Sequence, residues 1–411
     1  MVNFLGNQRN YLLSGHYNQN ENRDFVIKNV NLIDVRKKEI GYGFNVRIVK
    51  GKIYEIGRKV SAHPNIPVVD GTDLFALPGL IDLHVHLVWD GSKSPLATMQ
   101  KEGLSGAALR GASNALSSLR MGVTTLRDVG SPGDVAVDIA KAFDSGLLLG
   151  PTVFPLGRIL QPTGGHVPEI GYVANGIKEV VTAVRALKER GVKGIKMAST
   201  GGAYGPEEIG PAVYTFEEMK AIVDEAHRLN LKVSTHALGY EGIRLSVEAG
   251  IDTIEHGAGI APEVIRDMKH RGTVLIPTLA VYKMLAESKD MIPDEYVEKA
   301  EKVVQWHEET FNNAMKEGVL IALGTDAGSP NFGPHPSVNK EIELMVSYGM
   351  DPFEAITAAT CKAAMVLGME NSVGYLESGF NADILLVKEN PIEDITALRN
   401  ISKVFKNGID I

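Results

Sequence analysis

Two histidines stand two positions apart in an apolar run, Leu80–Leu87, near the start of the chain. The apolar residues of this run predict one buried strand. Because alternate side chains of a strand point to the same face, His84 and His86 share a face and lie about 7 Å apart along the strand. Imidazole nitrogen is a common ligand of divalent metal ions, whereas a pair of hydrogen-bonded core histidines is the alternative for these two residues alone. The pair is therefore one half of a candidate metal site.

Further polar residues stand at the ends of later apolar runs. Any one of them alone fits an ordinary buried polar residue that is satisfied by hydrogen bonds. Together they supply the nitrogen and oxygen ligands that a metal centre needs. If the strands are parallel, their carboxyl ends meet at one edge of the sheet, so the sequence predicts a shared metal site there. The candidate ligands beyond the first pair are Lys196, His236, His256 and Asp326.

The region that carries these residues, 77–368, alternates short apolar runs with amphipathic stretches, which predicts a parallel sheet. We expect an α/β fold in which eight strands form a (β/α)8 TIM barrel. The predicted strands are Ile81–Leu87, Thr124–Asp128, Thr152–Leu156, Gly194–Ser199, Lys232–His236, Thr253–His256, Val274–Thr278 and Leu320–Gly324. The predicted helices are Glu217–Leu229, Gly242–Ala249, Pro262–Lys269 and Glu295–Lys316.

Both ends of the chain have a β pattern without helical periodicity. Residues 24–76 and 369–411 carry short apolar runs that are separated by turn residues, and we expect them to form one small composite β-sandwich domain beside the barrel. Residues 1–23 are rich in asparagine and predict an irregular arm.

The composition is that of an ordinary globular protein. The 411 residues are 44% hydrophobic and 22% charged, with a formal net charge of −8 and no run of Lys or Arg. A net negative charge does not indicate binding to nucleic acid or to an anionic membrane surface. The chain also has no run of 18 apolar residues that would indicate a transmembrane helix. The single cysteine, Cys361, cannot form an internal disulfide. We therefore expect a cytoplasmic protein that acts on small molecules.

The order His-x-His, Lys, His, His, Asp at successive strand ends resembles the amidohydrolase superfamily. Pro78–Asp82 flanks the first pair and Gly324–Asp326 closes the set, and the resemblance covers nearly the whole chain beyond residue 23. Within the superfamily, the runs Gly157–His166 and Ile254–Gly257 resemble the branch that contains prolidase-like enzymes (Xaa-Pro dipeptidases) and relatives of imidazolonepropionase.

The resemblance implies a two-metal centre. Lys196 would be carbamylated and would bridge the two ions, with His84, His86 and Asp326 at the more buried site and His236 and His256 at the more exposed site. Imidazole and carboxylate ligands suit zinc best, although other divalent ions are accepted at such sites. Deaminases of the superfamily generally lack this lysine, so Lys196 argues against deamination. The family is often oligomeric, which implies a homo-oligomer.

The same resemblance assigns roles in catalysis. A hydroxide between the two ions would attack the substrate, and Asp326 would accept its proton and deliver it to the leaving amine. His166 would face the substrate carbonyl or carboxylate. Tyr240 and Arg158 are candidates for substrate binding, with loop packing and a structural ion pair as their respective alternatives.

We therefore expect a binuclear hydrolase of an amide bond, either a dipeptidase or carboxypeptidase or an N-acyl amino acid hydrolase. A hydrolase of cyclic amides or imidazolones is one alternative, and a hydrolase of carbamates, lactones or phosphotriesters is another. A scaffold that has lost catalysis is the alternative outside the enzymes, and the complete set of ligand types argues against it.

Overall fold

The computed structural model describes residues 24–205, 207–333 and 335–411, so the arm predicted at residues 1–23 lies outside the described residues. The strands are β1 Phe25–Asp34, β2 Glu39–Val49, β3 Lys52–Gly57, β4 Val68–Asp70, β5 Phe75–Pro78, β6 Leu80–Val85, β7 Val123–Asp128, β8 Thr152–Pro155, β9 Ile159–Gln161, β10 Gly171–Val173, β11 Gly194–Ala198, β12 Lys232–Ala237, β13 Thr253–His256, β14 Val274–Ile276, β15 Ile384–Val387, β16 Ile401–Lys406 and β17 Ile409–Asp410.

Helices follow most strands of the central region. They are α1 Pro95–Arg120, α2 Val135–Asp144, α3 Gly176–Arg190, α4 Phe216–Arg228, α5 Tyr240–Ala249, α6 Pro262–Arg271, α7 Leu279–Ala286, α8 Asp294–Glu317, α9 Val338–Ser347, α10 Pro352–Ala358 and α11 Cys361–Leu367, with short 3₁₀ turns at Pro168–Ile170 and Ile395–Arg399. The four helices that the sequence predicted are confirmed to within a few residues at each end.

The two ends of the chain meet in one sheet. Within the described residues this sheet has eight strands, ordered β17-β16-β15-β5-β1-β2-β3 with β4 beside β1. The β5 strand joins the two ends, because it runs parallel to β1 and pairs antiparallel with β15. Direct strand pairing therefore joins the two chain ends in this sheet, and a composite β-sandwich domain separate from the barrel stays a prediction.

The central strands pair in parallel. Among the described residues they form a three-stranded sheet, β6-β7-β8, and a six-stranded sheet, β10-β9-β11-β12-β13-β14. In the second sheet Gly194 lies opposite Lys232 and Ala198 lies opposite His236, so the carboxyl ends of β11 and β12 are level. This common edge is where the predicted ligands stand.

The prediction of a strand at Leu320–Gly324 is wrong in detail. Within the described residues, Leu320–Gly324 forms one isolated bridge, from Ile321 to Leu275, and Ala327 beyond it forms another, to Val85. It still connects β14 to β6, because Leu275 N donates to Leu320 O at 3.0 Å and Leu83 N donates to Leu323 O at 3.0 Å. The left-handed backbone at Asp326 (φ 61°) interrupts the extended chain between these two bridges.

The segment between the predicted strands Thr152–Leu156 and Gly194–Ser199 contains two further strands. Ile159–Gln161 and Gly171–Val173 pair in parallel at one edge of the six-stranded sheet, a feature that the sequence analysis missed. Both runs have three residues, which is too short for a periodicity signal. Among residues 24–205, 207–333 and 335–411, no helix is both long enough and apolar enough to cross a membrane.

Candidate active site

A cavity opens at the carboxyl ends of the parallel strands. It contains all six predicted metal ligands together with His166. The residues that line it are His84, His86, Trp89, Ile159, His166, Val167, Lys196, Ala203, Tyr204, His236, His256, Tyr282 and Asp326.

The predicted ligands converge because most of them stand in, or directly after, neighbouring parallel strands. His84 lies in β6, Lys196 in β11, His236 in β12 and His256 in β13. Pairing of Ala237 with His256 keeps the ends of β12 and β13 level. As a result, the ring centroids of His236 and His256 are 4.5 Å apart, and those of His84 and His256 are 5.0 Å apart.

Asp326 closes this group from the segment that follows residue 324. Its Oδ1 lies 3.6 Å from His84 Nε2 and 3.5 Å from His86 Nε2. One ligand atom each from His84, His256 and Asp326 lie within 4.8 Å of one another, a spacing at which they can coordinate the same ion.

Each histidine is fixed by a hydrogen bond on the ring nitrogen that faces away from the cavity. His84 Nδ1 lies 2.7 Å from Glu255 Oε2, and His86 Nδ1 donates to Gly130 O at 2.9 Å. His256 Nδ1 bonds Thr278 Oγ1 at 2.7 Å, while His236 Nε2 donates to Gly201 O at 3.1 Å. These contacts leave Nε2 free on His84, His86 and His256, and Nδ1 free on His236. Outer hydrogen bonds of this kind orient histidine ligands in metal sites.

Burial sets the charge state of these groups. It lowers the pKa of His84, His236 and His256 well below the usual value and that of His86 to about 3, so the rings are neutral and keep a lone pair for a metal.

Two buried polar atoms of the six predicted ligands have no hydrogen-bond partner among the described residues. They are Lys196 Nζ and Asp326 Oδ1. Burial lowers the pKa of Lys196, which favours the neutral amine. Buried polar groups are normally hydrogen-bonded, so these two atoms point to a missing partner. The donor set of four neutral imidazoles, a carboxylate and an unpaired amine therefore fits divalent cations.

The backbone around the site is strained. His256 (φ 69°), Thr278 (φ 47°) and Asp326 (φ 61°) adopt left-handed conformations without being glycine. For a β-branched residue such as Thr278 this conformation is a true outlier, and each such residue costs on the order of 1–3 kcal/mol. Strain of this kind is typical of functional sites, where the surrounding structure holds side chains in a required direction.

His166 lies beside the six predicted metal ligands and is not one of them. It is buried, its ring stacks on that of His236 with centroids 4.3 Å apart, and its Nδ1 is 3.2 Å from Glu207 Oε1. Gly202 makes this position possible, since a Cβ there would lie 2.1 Å from His166 Cε1. The unbonded Nε2 of His166 is thus available to a ligand in the cavity.

The structure does not bring Tyr240 and Arg158 to the cavity. Tyr240 begins α5 and is 48% exposed. Arg158 is half-buried, donates to Gly171 O and lies over the Tyr172 ring at 5.0 Å from its centroid. The sequence placed both residues near strand ends correctly, but the directions of their side chains depend on the loop and helix geometry.

Sequence reasoning missed several residues that build the site. Glu255 is fully buried, and its Oε1 accepts from Arg127 Nη2 at 2.7 Å, so this ion pair lies directly behind His84. Tyr204 and Tyr282 line the cavity, and Trp89 stacks on His86 with centroids 4.0 Å apart. A sequence signal existed only for Glu255, as a charged residue within the apolar run before His256.

Comparisons with known proteins agree with this geometry. A model of the amidohydrolase family matches residues 75–409. The chain is 33% identical over 370 residues to ochratoxinase from Aspergillus niger, covering 81% of this chain and 74% of that protein. It is 23% identical over 382 residues to imidazolonepropionase from Thermoanaerobacter pseudethanolicus, covering 83% of each. The crystal structure of a Xaa-Pro dipeptidase with methionine bound in its active site superposes with a TM-score of 0.87 at 32% identity, covering 94% of this chain and 99% of that one.

Proposed function

This chain belongs to the amidohydrolase family and is an enzyme that acts on carbon–nitrogen bonds, and on that premise we propose that it hydrolyses the amide bond of a dipeptide or an N-acyl amino acid. One observation carries the proposal: His84, His86, Lys196, His236, His256 and Asp326 line one cavity together with His166. The similarity to a Xaa-Pro dipeptidase whose active site holds an amino acid supports a substrate of this class.

We infer that the six ligands hold two divalent ions, for which zinc suits the ligand types best. His84, His86 and Asp326 would hold the first ion, and His236 and His256 the second. When bound, the two ions lower the pKa of a water molecule and polarise the scissile carbonyl. Lys196 would contribute an anionic ligand to this centre if its neutral amine takes up carbon dioxide and loses a proton to become a carbamate.

The chain's own residues would orient the substrate and move the proton. Asp326 Oδ1 makes no hydrogen bond to any described residue, so it would be available to accept the proton of the attacking water and return it to the leaving amine. His166 Nε2 is placed to donate to the substrate carboxylate or carbonyl. Trp89, Val167 and Tyr204 line the cavity as well, and they would exclude bulk water from it.

We also propose how the chain is organised around the site. Residues 77–368 would form a closed (β/α)8 barrel in which the bridges on both sides of the 320–327 segment join the two parallel sheets. Residues 24–76 and 369–411 would form a β-sandwich domain. Homo-oligomer formation is part of the proposal through the family, and the oligomeric state is measurable by light scattering.

The test is a metal analysis of the purified protein, combined with a screen of dipeptides and N-acyl amino acids, each as the free acid and as the C-terminal amide. We expect bound zinc and a kcat/KM that is higher for the acids, because losing a charge-assisted hydrogen bond leaves a buried donor unpaired. Equal values for acids and amides would overturn the proposal and favour cyclic amides, lactones or phosphotriesters as substrates.

A further inference from the structure

A second cavity lies at the opposite, amino-terminal ends of the parallel strands. Gly194, Lys232 and Thr253 begin three neighbouring strands there, and the end of α11 covers one side. We refer to it as the lower cavity. The residues that line it are Arg127, Phe154, Leu156, Lys193, Gly194, Asn230, Lys232, Val233, Ser234, Thr253, Val366 and Leu367.

The lining of the lower cavity is cationic on one part and apolar on another. Lys193 and Lys232 are exposed at its mouth, and no carboxylate stands among the described residues that line it. Lys193 Nζ makes no ion pair or hydrogen bond within the described part of the chain, whereas Lys232 Nζ donates to Val366 O at 2.9 Å. Phe154 and Leu367 belong to the apolar wall. Such a lining fits an organic anion with one carboxylate and a small apolar group.

The inner end of the lower cavity touches the ion pair behind the catalytic site. Arg127, Ser234 and Thr253 line the cavity and all donate to Glu255 Oε1, at 2.7, 2.9 and 2.5 Å. Arg127 has spare donor capacity, since its Nη1 makes only a long contact of 3.4 Å to Thr253 Oγ1. Glu255 Oε2 in turn lies 2.7 Å from His84 Nδ1.

We propose that the lower cavity is a binding site for a small amphiphilic carboxylate, and that its occupation acts on His84 through Arg127 and Glu255. The bound carboxylate would contact the lysines at the mouth and the Arg127 guanidinium, while its apolar group would pack against Phe154. The negative charge of a carboxylate bound beside Arg127 weakens the electrostatic attraction between Arg127 and Glu255. Glu255 then becomes a stronger acceptor for His84 Nδ1–H, which strengthens His84 as a metal ligand.

The binding test titrates the zinc-loaded protein with 3-phenylpropanoate and with the uncharged 3-phenylpropanamide, using calorimetry. We expect the acid to bind and the amide to bind about tenfold more weakly or worse, because a charge-assisted contact is lost. Lys193→Glu should weaken binding of the acid by a similar factor. Lys178→Glu, at an exposed position in the first turn of α3, makes the same change in charge elsewhere and should have no effect.

Binding of the acid in the catalytic cavity would be insensitive to Lys193→Glu. A single binding event that this variant leaves unchanged therefore overturns the proposal, as does equal binding of acid and amide. Lys193→Met gives a second measurement without charge reversal, and it removes no hydrogen bond within the described residues.

The effect of a ligand in the lower cavity on zinc binding by His84 is measured as the rate at which a chelator removes zinc. Saturating 3-phenylpropanoate should slow the release by a factor of about 5, the low end of common coupling strengths, and Lys193→Glu should abolish this effect. An unchanged release rate with the lower cavity occupied would refute the connection to His84. Neither readout depends on the substrate, so failure here is distinguishable from failure of the proposed amide hydrolysis.

Discussion

Glu255 Oε2 lies 2.7 Å from His84 Nδ1, although the two residues are 171 positions apart in the sequence. The other oxygen of the same carboxylate accepts from Arg127, and both partners are buried. The contact fixes the His84 ring with Nε2 toward Asp326. It also keeps a negative charge behind the imidazole, which increases the basicity of a histidine ligand.

Replacing this carboxylate tests its role. Glu255→Gln keeps an oxygen for the His84 N–H but removes the charge, so we expect zinc affinity to fall by about 10- to 100-fold. Competition with a chelator measures this change. Ser234→Ala is the matched control, because it removes one neutral donor to the same carboxylate and should have a much smaller effect. Unchanged affinity in Glu255→Gln would mean that His84 does not depend on its outer partner.

Lys196 is predicted to decide how many ions are bound. The parent should bind about two divalent ions per chain, as two-metal hydrolase centres do. Lys196→Ala removes the shared anionic ligand, so metal content should fall, mainly at the site of His236 and His256, and activity should be lost. Metal analysis of the variant measures this, with Lys188→Ala on α3 as a control. Full metal content with normal turnover would contradict the carbamate assignment.

Asp326 is predicted to carry the proton. Asp326→Asn keeps an oxygen near His84 and His86 but cannot accept a proton, so kcat should fall by about 10²- to 10⁴-fold. The comparison is made at equal metal content, with the exposed Asp138→Asn as a control for a change of the same type. Activity within a few-fold of the parent would assign proton transfer to another group.

Recognition of the substrate carboxylate is predicted to depend on His166 and not on Tyr240. His166→Ala should reduce the ratio of kcat/KM between a free acid and its amide, because the donor that faces the cavity is lost. Tyr240→Phe should leave the ratio unchanged, since this tyrosine is 48% exposed and lies outside the cavity lining. If Arg158→Met or Tyr240→Phe reduces the ratio while His166→Ala does not, the assignment fails.

Glu341 is predicted to stabilise the fold next to the site. Its carboxylate accepts from Leu279 N and Ala280 N, both at 2.8 Å, at the start of α7, and it is fully buried. Glu341→Ala leaves two buried donors unpaired, each of which costs about 1–3 kcal/mol in the free energy of unfolding. Glu343→Ala on the same helix removes only a surface ion pair with Arg399, worth about 0–1 kcal/mol. Denaturant unfolding compares the two variants.

The sequence alone determined which residues belong together at the site. The period of a strand puts His84 and His86 on one face, and strands alternating with helices place the carboxyl ends of parallel strands at a common edge. This local information was enough to predict that the six candidate ligands stand at one place, and all six line the cavity. It also predicted the pairing of the two chain ends, because both have strand patterning.

Only the tertiary structure decided what stands around those ligands. The contact of Glu255 with His84 depends on the packing of β13 against β6 across the interior, and strand periodicity carries no information about such distances. Likewise, the structure directs Tyr204 and Tyr282 into the cavity and Tyr240 to the surface, because the direction of a side chain beyond a strand end is set by the turn and by the start of the next helix. These features depend on long-range packing, which a local pattern of residues does not encode.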